Sequence, residues 1–488
     1  MTMSFDNIPT TIRVPWTYIE FNNENAVQGS QKQPYKVLVL GQKLAAGSAE
    51  KEKLALITSA DQAKTLFGAG SLLHKMSETY FKNNQLTTTY FMPLEDLEAG
   101  VAATGAILVT ASSPQAGTIN LYIGGEKISV GVSTTDTANT IATAIAAAIT
   151  AKTGLPVTAS ATTNTITITC KWKGETGNEI DIRANYYDGE NLPTGVTLAI
   201  TQMSSGSGNP DISSALANLG DNQFNIIAVP YKDGANFALL KTKLEELNGP
   251  LVQKDGYVFM SKDDTVANLA TFGLAKNTQF FATLGIKNSP TPDYQIASAL
   301  AGVASYYGNI DPARPFQTLK LSGILAPSES DRFTLAEKNT LLYDGISTSF
   351  VDASGNVCIE RLISMYRQNS TGADDPSYLD MTTLLTLSYL RYSFRNRILT
   401  KFPRHKLADD GTKFSQGQAI VTPSVVKAEA IAIFRNWEED GLVEDADAFK
   451  EGLIVERNTS DVNRLDIQLT PDLVNQFMVA GVKIKFLL

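Results

Sequence analysis

Only two histidines, His74 and His405, and two cysteines, Cys170 and Cys358, stand in the 488 residues. A zinc site or a Ser–His–Asp relay would have to be built on one of those two imidazoles. The spacing does not supply either, because no HExxH and no GxSxG occurs. Phe67–Ser71 (FGAGS) offers glycines and a serine without nucleophile-elbow spacing and reads as a turn between helices. In VLVLGQKLAAGSA, Gly41 and Gly47 have the gap of a phosphate loop, yet Ala49 follows Ser48 and no lysine takes the phosphate-reading place. No GxGxxG is present. Lys406–Thr412 (KLADDGT) holds two acids and a glycine without EF-hand spacing, and reads as a turn whose Asp side chains cap backbone amides. Two cysteines so far apart form neither a disulfide framework nor a CxxC pair, and read as inert buried thiols. The expectation is no enzyme, with no catalytic, cofactor-binding or metal-ligating residue.

Composition narrows the class further. Hydrophobic residues make up 43% and charged residues 19%, ordinary globular usage, and the length implies roughly three or four domains. The net charge of −9 does not suit coating nucleic acid, which needs a basic surface to release counterions. MTMSFDNIPT has neither a basic nor an apolar signal region, and apolar runs such as ATAIAAAI fall short of a membrane span. A soluble protein made in the cytoplasm is expected, without membrane anchoring.

The elements that position these residues follow from periodicity. Tyr35–Gly41 (YKVLVLG) is a continuous apolar run closed by Gly, as a strand buried on both faces reads. A helical stretch follows, broken into two at FGAG, and then the strand TTTYFMPL. Between about Gly105 and Met203 Thr, Ala, Ser and Gly become dense and charge sparse. TINLYIGGEKISVGV reads as a hairpin at Gly124–Gly125, DTANTIATAIAAAITAKTG as an Ala-rich helix, and VTASATTNTITITCKW as a second hairpin near Thr163–Asn164. SSGSGNP then reads as a flexible linker. Afterwards strands (FNIIAVPY, GYVFMS, FFATLGI) alternate with helices (NFALLKTKLEEL, TVANLATFGLAK, YQIASALAGVASYYG), which argues for a parallel sheet covered on both faces. Two long helices, LDMTTLLTLSYLRYSFRNRILTKF and SVVKAEAIAIFRNWEEDG, precede the strand RLDIQL. TPDLVNQF reads as a short helix with Thr470 as N-cap and Pro471 at its first position.

The expected fold is therefore an α/β (α+β) multidomain chain. A parallel-sheet α/β core (31–104 and 206–355) carries a mainly-β inserted domain (105–205). A C-terminal α/β domain (356–478) follows, and extended strand arms lie at 1–30 and 479–488.

One charge pattern is conspicuous. RYSFRNRILTKFPRHK gathers Arg391, Arg395, Arg397, Lys401 and Arg404, and NWEEDGLVEDADAFKE gathers Glu438, Glu439, Asp440, Glu444 and Asp445. These are either two solvated helix faces or complementary patches that meet between copies of the chain.

Both ends read as strands on tethers. Ile12, Val14, Trp16 and Tyr18 share one side of an N-terminal run in which Pro15 suits only an edge strand. Val482, Ile484, Phe486 and Leu488 share one face of the last ten residues, VAGVKIKFLL. Burying four such side chains contributes about 6–12 kcal/mol, and fixing seven residues of backbone costs about 7–14 kcal/mol. The strand is ordered only where its backbone also pairs, in its own sheet or in a neighbour's by strand addition. A strand given to the next copy makes a head-to-tail contact, which propagates into rings and helices.

Asp311–Pro327 (DPARPFQTLKLSGILAP), Leu341–Thr348 (LLYDGIST), Ser377–Arg391 (SYLDMTTLLTLSYLR), Phe402–Pro423 (FPRHKLADDGTKFSQGQAIVTP) and Arg464–Phe486 (RLDIQLTPDLVNQFMVAGVKIKF) together resemble the tail sheath protein of phage Mu-like contractile tails. FGAGS after the first strand also looks like that family. The resemblance implies a structural subunit without a catalytic site or cofactor. It implies stacked hexameric rings around a tail tube, with baseplate and tail terminator proteins as further partners. It implies a metastable extended state whose contraction drives the tube through the host envelope, and N- and C-terminal arms that add strands to a neighbour's C-terminal domain. The same resemblance puts Tyr366–Leu488 against the tube, the inserted domain outermost, and the protein in a virion tail assembled in the host cytoplasm. A phage-tail-like bacteriocin or injection apparatus would use the same sheath. An α/β hydrolase lacks its nucleophile motif here, and an adhesive surface protein lacks its signal peptide.

Overall fold

The computed structural model describes residues 33–415 and 417–487, with Thr11, Arg13, Val14 and Thr17. The chain divides into two units, one of Pro34–Ser388 with Asn475–Leu488, the other of Met1–Gln33 with Tyr389–Val474. In the first unit β1 (Lys36–Gln42) is buried from Val37 onward, as a central strand covered on both faces requires. β2 (Ala55–Ile57), α1 (Ala60–Phe67), α2 (Leu72–Asn83) and β3 (Thr88–Leu94) follow. FGAG breaks the helical stretch as expected. Gly70 has φ 78°, and a Cβ there would lie 2.1 Å from the Leu155 carbonyl oxygen.

The Thr-rich stretch folds into two antiparallel sheets. β4 (Ala102–Ala111), β5 (Gly117–Ile123), β6 (Glu126–Val132), β7 (Val157–Thr162), β8 (Thr165–Lys173), β9 (Ile182–Ala184) and β10 (Val196–Ser204) run in the orders β10-β4-β8-β7 and β6-β5-β9. The β5–β6 turn has positive φ at both Gly124 and Gly125, which matches the twist of a two-residue hairpin. The helix α3 (Ala138–Ala151) starts at a capping box of Thr137 and Thr140 and buries Ile141, Ile145 and Ile149 along one stripe. The segment after β10, expected as a flexible linker, is pinned instead. Val101 and Ser207 exchange backbone hydrogen bonds of 2.8 and 3.1 Å, and the Gly206 N–H donates to Asn178 Oδ1 at 2.7 Å. A Cβ on Gly206 would lie 2.4 Å from the Gly174 carbonyl oxygen, so the glycine serves close approach rather than flexibility.

The α/β rhythm then resumes: α4 (Ser213–Ala217), β11 (Ile226–Ala228), α5 (Gly234–Asn248), β12 (Tyr257–Asp263), α6 (Val266–Leu274), β13 (Phe281–Ile286) and α7 (Asp293–Ile310). The resulting six-stranded sheet has the order β13-β12-β11-β1-β3-β2. All its pairings are parallel except that of β2 with β3. β1 sits between β11 and β3, so the core sheet is closed across the insertion. After α8 (Leu335–Tyr343), the antiparallel pair β14 (Thr348–Val351) and β15 (Val357–Arg361) spans position 355. Asp352–Asn356 forms the tip of this hairpin.

The helix α9 (Met381–Lys401) begins in the first unit, where Met381, Leu384 and Leu385 join the core. Its later residues belong to the second unit. There β16 (Lys406–Leu407) pairs with β17 (Ile420–Val421), and α10 (Pro423–Glu439) buries Val426, Ala430, Ile433, Phe434 and Trp437. β18 (Val443–Glu444), α11 (Ala446–Gly452), β19 (Ile454–Arg457), β20 (Leu465–Gln468) and β21 (Asp472–Leu473) complete it. The helix expected over TPDLVNQF is absent. Asp472 and Leu473 pair with Glu444 and Val443 instead, because a helix this short is marginal alone and the strand pairing satisfies the same backbone groups.

Candidate interaction surfaces

Ser71, His74 and Asp410 each have a hydrogen-bond partner. Ser71 is the N-cap of α2 and accepts a hydrogen bond from the His74 backbone N–H at 3.1 Å. His74 Nδ1 accepts from the Gly70 N–H at 3.1 Å, so the imidazole does not address the hydroxyl. Burial holds the His74 pKa below its ordinary value, in spite of Glu78 nearby. In KLADDGT, Asp410 accepts from the backbone N–H of Ser424, in the first turn of α10, at 3.1 Å, and Asp409 pairs with Arg457 at 2.8 Å. Cys170 and Cys358 are both buried and free.

A doubly wound sheet binds ligands in the crevice beyond its strand ends, where the strand order reverses. Here that point lies between β1 and β11, and residues of the Thr-rich stretch reach it. Gln42, fully buried at the end of β1, donates from Nε2 to the Lys173 carbonyl and to Asp96 Oδ1, both at 2.6 Å. Beside it lies a buried ionic cluster. Lys232, which follows β11, bonds Glu179 of the insertion at 2.7 Å and also Asp293 at the start of α7. Burial pushes the Glu179 carboxyl up to about 8, although Lys232 opposes the shift. Burial and the neighbouring Asp293 raise Asp263 to about 7. Glu179 Oε2 and Asp293 Oδ1 have no hydrogen-bond partner among the described residues. This cluster was missed in the sequence because its members are far apart in the chain.

The charged stretches are split between two uses. Arg397 Nε and Lys401 Nζ both bond the buried carboxylate of Glu429 on α10. Burial alone would raise the Glu429 pKa, and these two hydrogen bonds outweigh it and hold it below the usual value. Arg391, Arg395 and Arg404 are exposed, as are Glu438 and Glu439 at the end of α10 and Asp440 at its C-cap. Glu444 lies in β18, and Asp445, at φ 59°, caps α11 by accepting from the Ala448 N–H. Glu429 had a legible signal. It falls on the apolar stripe Val426, Ala430, Ile433, where a lone acid needs a partner.

The arms are the remaining surface. Ile12, Trp16, Tyr18 and Leu488 lie outside the described residues, and Val14 is exposed. Residues 475–487 form no strand. Val482, Ile484 and Phe486 are 77–83% exposed and Leu487 is 100% exposed. Alternating apolar side chains in this state lack the sheet that the energetics require.

A family profile described as the phage tail sheath protein central domain matches residues 205–365, and one described as the phage tail sheath C-terminal domain matches residues 373–486. The tail sheath protein of the Mu-like prophage FluMu of Haemophilus influenzae is 45% identical over 488 residues, covering 100% of both chains. The chain belongs to the phage tail sheath family. Among solved structures, the sheath tail protein of Desulfitobacterium hafniense shares the fold, with a TM-score of 0.50 over 95% of this sheath protein and 97% of that one at 16% identity. As a tail sheath protein of the Mu-like type, this chain is a structural component of a phage tail.

Proposed function

We propose that this sheath protein polymerises around a tail tube as stacked hexameric rings in a metastable extended state. Contraction then drives the tube through the host envelope. The subunits move as nearly rigid bodies while their woven arms act as hinges. Each copy gives Val482–Leu488, and the N-terminal run Ile12–Ile19, to sheets of neighbouring copies by strand addition. The observation that carries this reading is the apolar, unpaired segment 482–487, at least 77% exposed at Val482, Ile484, Phe486 and Leu487. Such a segment is stable only against another chain's sheet edge. The C-terminal domain faces the tube, and the inserted domain faces outward. The exposed Arg395 and Arg404 meet acidic groups of the tube or of an adjacent subunit. No ATP is needed, because the energy lies in the difference between two subunit packings.

The test is negative-stain electron microscopy of the full chain beside one lacking Val479–Leu488, with the tube protein added where the chain alone stays dispersed. Rings or tubes that disappear on truncation are expected. Tubes from both versions would refute strand donation, and dispersed particles even with the tube would refute the polymeric role.

A further inference from the structure

Strand donation leaves the register open, and the following rests on that reading. A one-residue slip would turn Val482, Ile484 and Phe486 to the wrong face, so the apolar pattern forbids it. A two-residue slip keeps every side chain on its face. Something other than the apolar pattern must choose among such registers.

The β19–β20 hairpin carries the features that would choose. Val455 and Ile467 are paired on one face and remain only partly buried. On the other face Glu456 stands directly opposite Asp466, and Ile454 opposite Gln468. Two like charges in a cross-strand pair destabilise a sheet unless a cation joins them. Asp466 already accepts from Arg464 at 2.6 Å and from Asn458 at 2.7 Å. The Glu456 side chain has no ion pair or hydrogen bond among the described residues. The arriving segment has the complementary pattern, with Lys483 and Lys485 on one face and Val482, Ile484 and Phe486 on the other.

We propose that a second copy's 482–487 adds antiparallel to the outer edge of β19, with Lys485 directly opposite Glu456. Phe486 then covers the half-buried Val455. Leu487 meets Ile454, which is 48% exposed on the otherwise polar face. A slip of two residues one way sets Lys485 against Asn458 and Leu487 against Glu456, which buries the carboxylate against an apolar side chain. A slip the other way sets Lys485 against Ile454 and Lys483 against Glu456, which loses the apolar pair of Leu487 and Ile454. The Lys485–Glu456 pair is thus the register determinant of the donated strand.

Cysteine pairs report register directly. Residues directly opposite on adjacent strands have Cβ atoms about 4.5–5.5 Å apart, and a two-residue slip moves them about 7 Å along the strand, beyond disulfide reach. Polymer of the full chain carrying Glu456→Cys and Lys485→Cys, formed with its tube protein, should give a ladder of covalent oligomers after mild oxidation. Glu456→Cys with Lys483→Cys should not, and the native thiols are buried. Lys485→Glu should raise the concentration needed for polymer on the order of two- to five-fold, and adding Glu456→Lys should restore it. Circular dichroism of each unassembled variant identifies misfolding. Polymer of the first double variant that gives no ladder, or a ladder from the second double variant instead, would overturn the register while donation stands. Polymer that survives removal of Val479–Leu488 would overturn donation itself.

Discussion

Replacing Lys232 by methionine should be among the most damaging single changes in the first unit. The ammonium lies between Glu179 of the Thr-rich stretch and Asp293 at the start of α7, and the side chains of all three are 17% exposed or less. Methionine keeps the volume and removes the charge. Breaking a buried pair in this way costs about 3–5 kcal/mol where the acids facing it are ionised, because they lose their counterion without regaining water. The pH dependence of the wild-type protein fixes the sign independently. Glu179, raised to about 8, and Asp263, raised to about 7, bind their protons more tightly in the folded chain than in the unfolded one. Their contribution is complete below pH ~4 and is lost as the pH rises through 7 and 8. For Glu179 alone the shift from 4.5 amounts to on the order of 4–5 kcal/mol across that window. Glu179→Gln, which mimics the protonated acid, should therefore be tolerated and should flatten the decline. Urea denaturation of the three proteins at pH 5.5 and 8.5, with hydrogen exchange of residues 173–180, measures both effects. Wild-type stability that rises over this range, or a Lys232→Met penalty under ~1 kcal/mol at both pH values, would refute the argument.

Arg397 and Arg395 should separate under charge reversal. Arg397→Glu puts an acid against Glu429 and should lower the melting temperature by several degrees, while Arg395→Glu should leave melting unchanged and weaken assembly alone. Gly206→Ala should destabilise by about 1–3 kcal/mol in thermal melts, since its Cβ would meet the Gly174 carbonyl oxygen at 2.4 Å, backbone against backbone. Asp410→Ala removes the acceptor for the Ser424 N–H and should lower the midpoint of chemical denaturation slightly, and Asp410→Asn should recover most of the loss. Gly70→Val should be more harmful than Gly411→Val. Both glycines have positive φ, but only Gly70 faces a backbone carbonyl at 2.1 Å, a difference that differential scanning calorimetry would resolve.

Much of this protein was legible in its residues because the signals were local. Continuous apolar runs marked β1, β12 and β13, Gly124–Gly125 marked a hairpin, and alternation of strand and helix marked the parallel sheet. The long segments shared with sheath proteins carried the family and with it the function. Other features depended on what each segment meets in space. The Gly/Ser run after β10 reads as flexible, yet Val101 and Asn178 hold it in place. TPDLVNQF has sound helix-start residues, and a strand pairing with Val443–Glu444 took its backbone instead. In the charged stretch, composition showed that Arg397 and Lys401 were cationic, but only the packing of α9 against α10 revealed that they serve Glu429. Periodicity along the chain was enough to mark most strands and helices, and burial energy was enough to say that 482–488 needs a sheet to join. Which charges neutralise each other, and which crevice is filled, could be known only after folding, because those features join residues that are far apart in the chain.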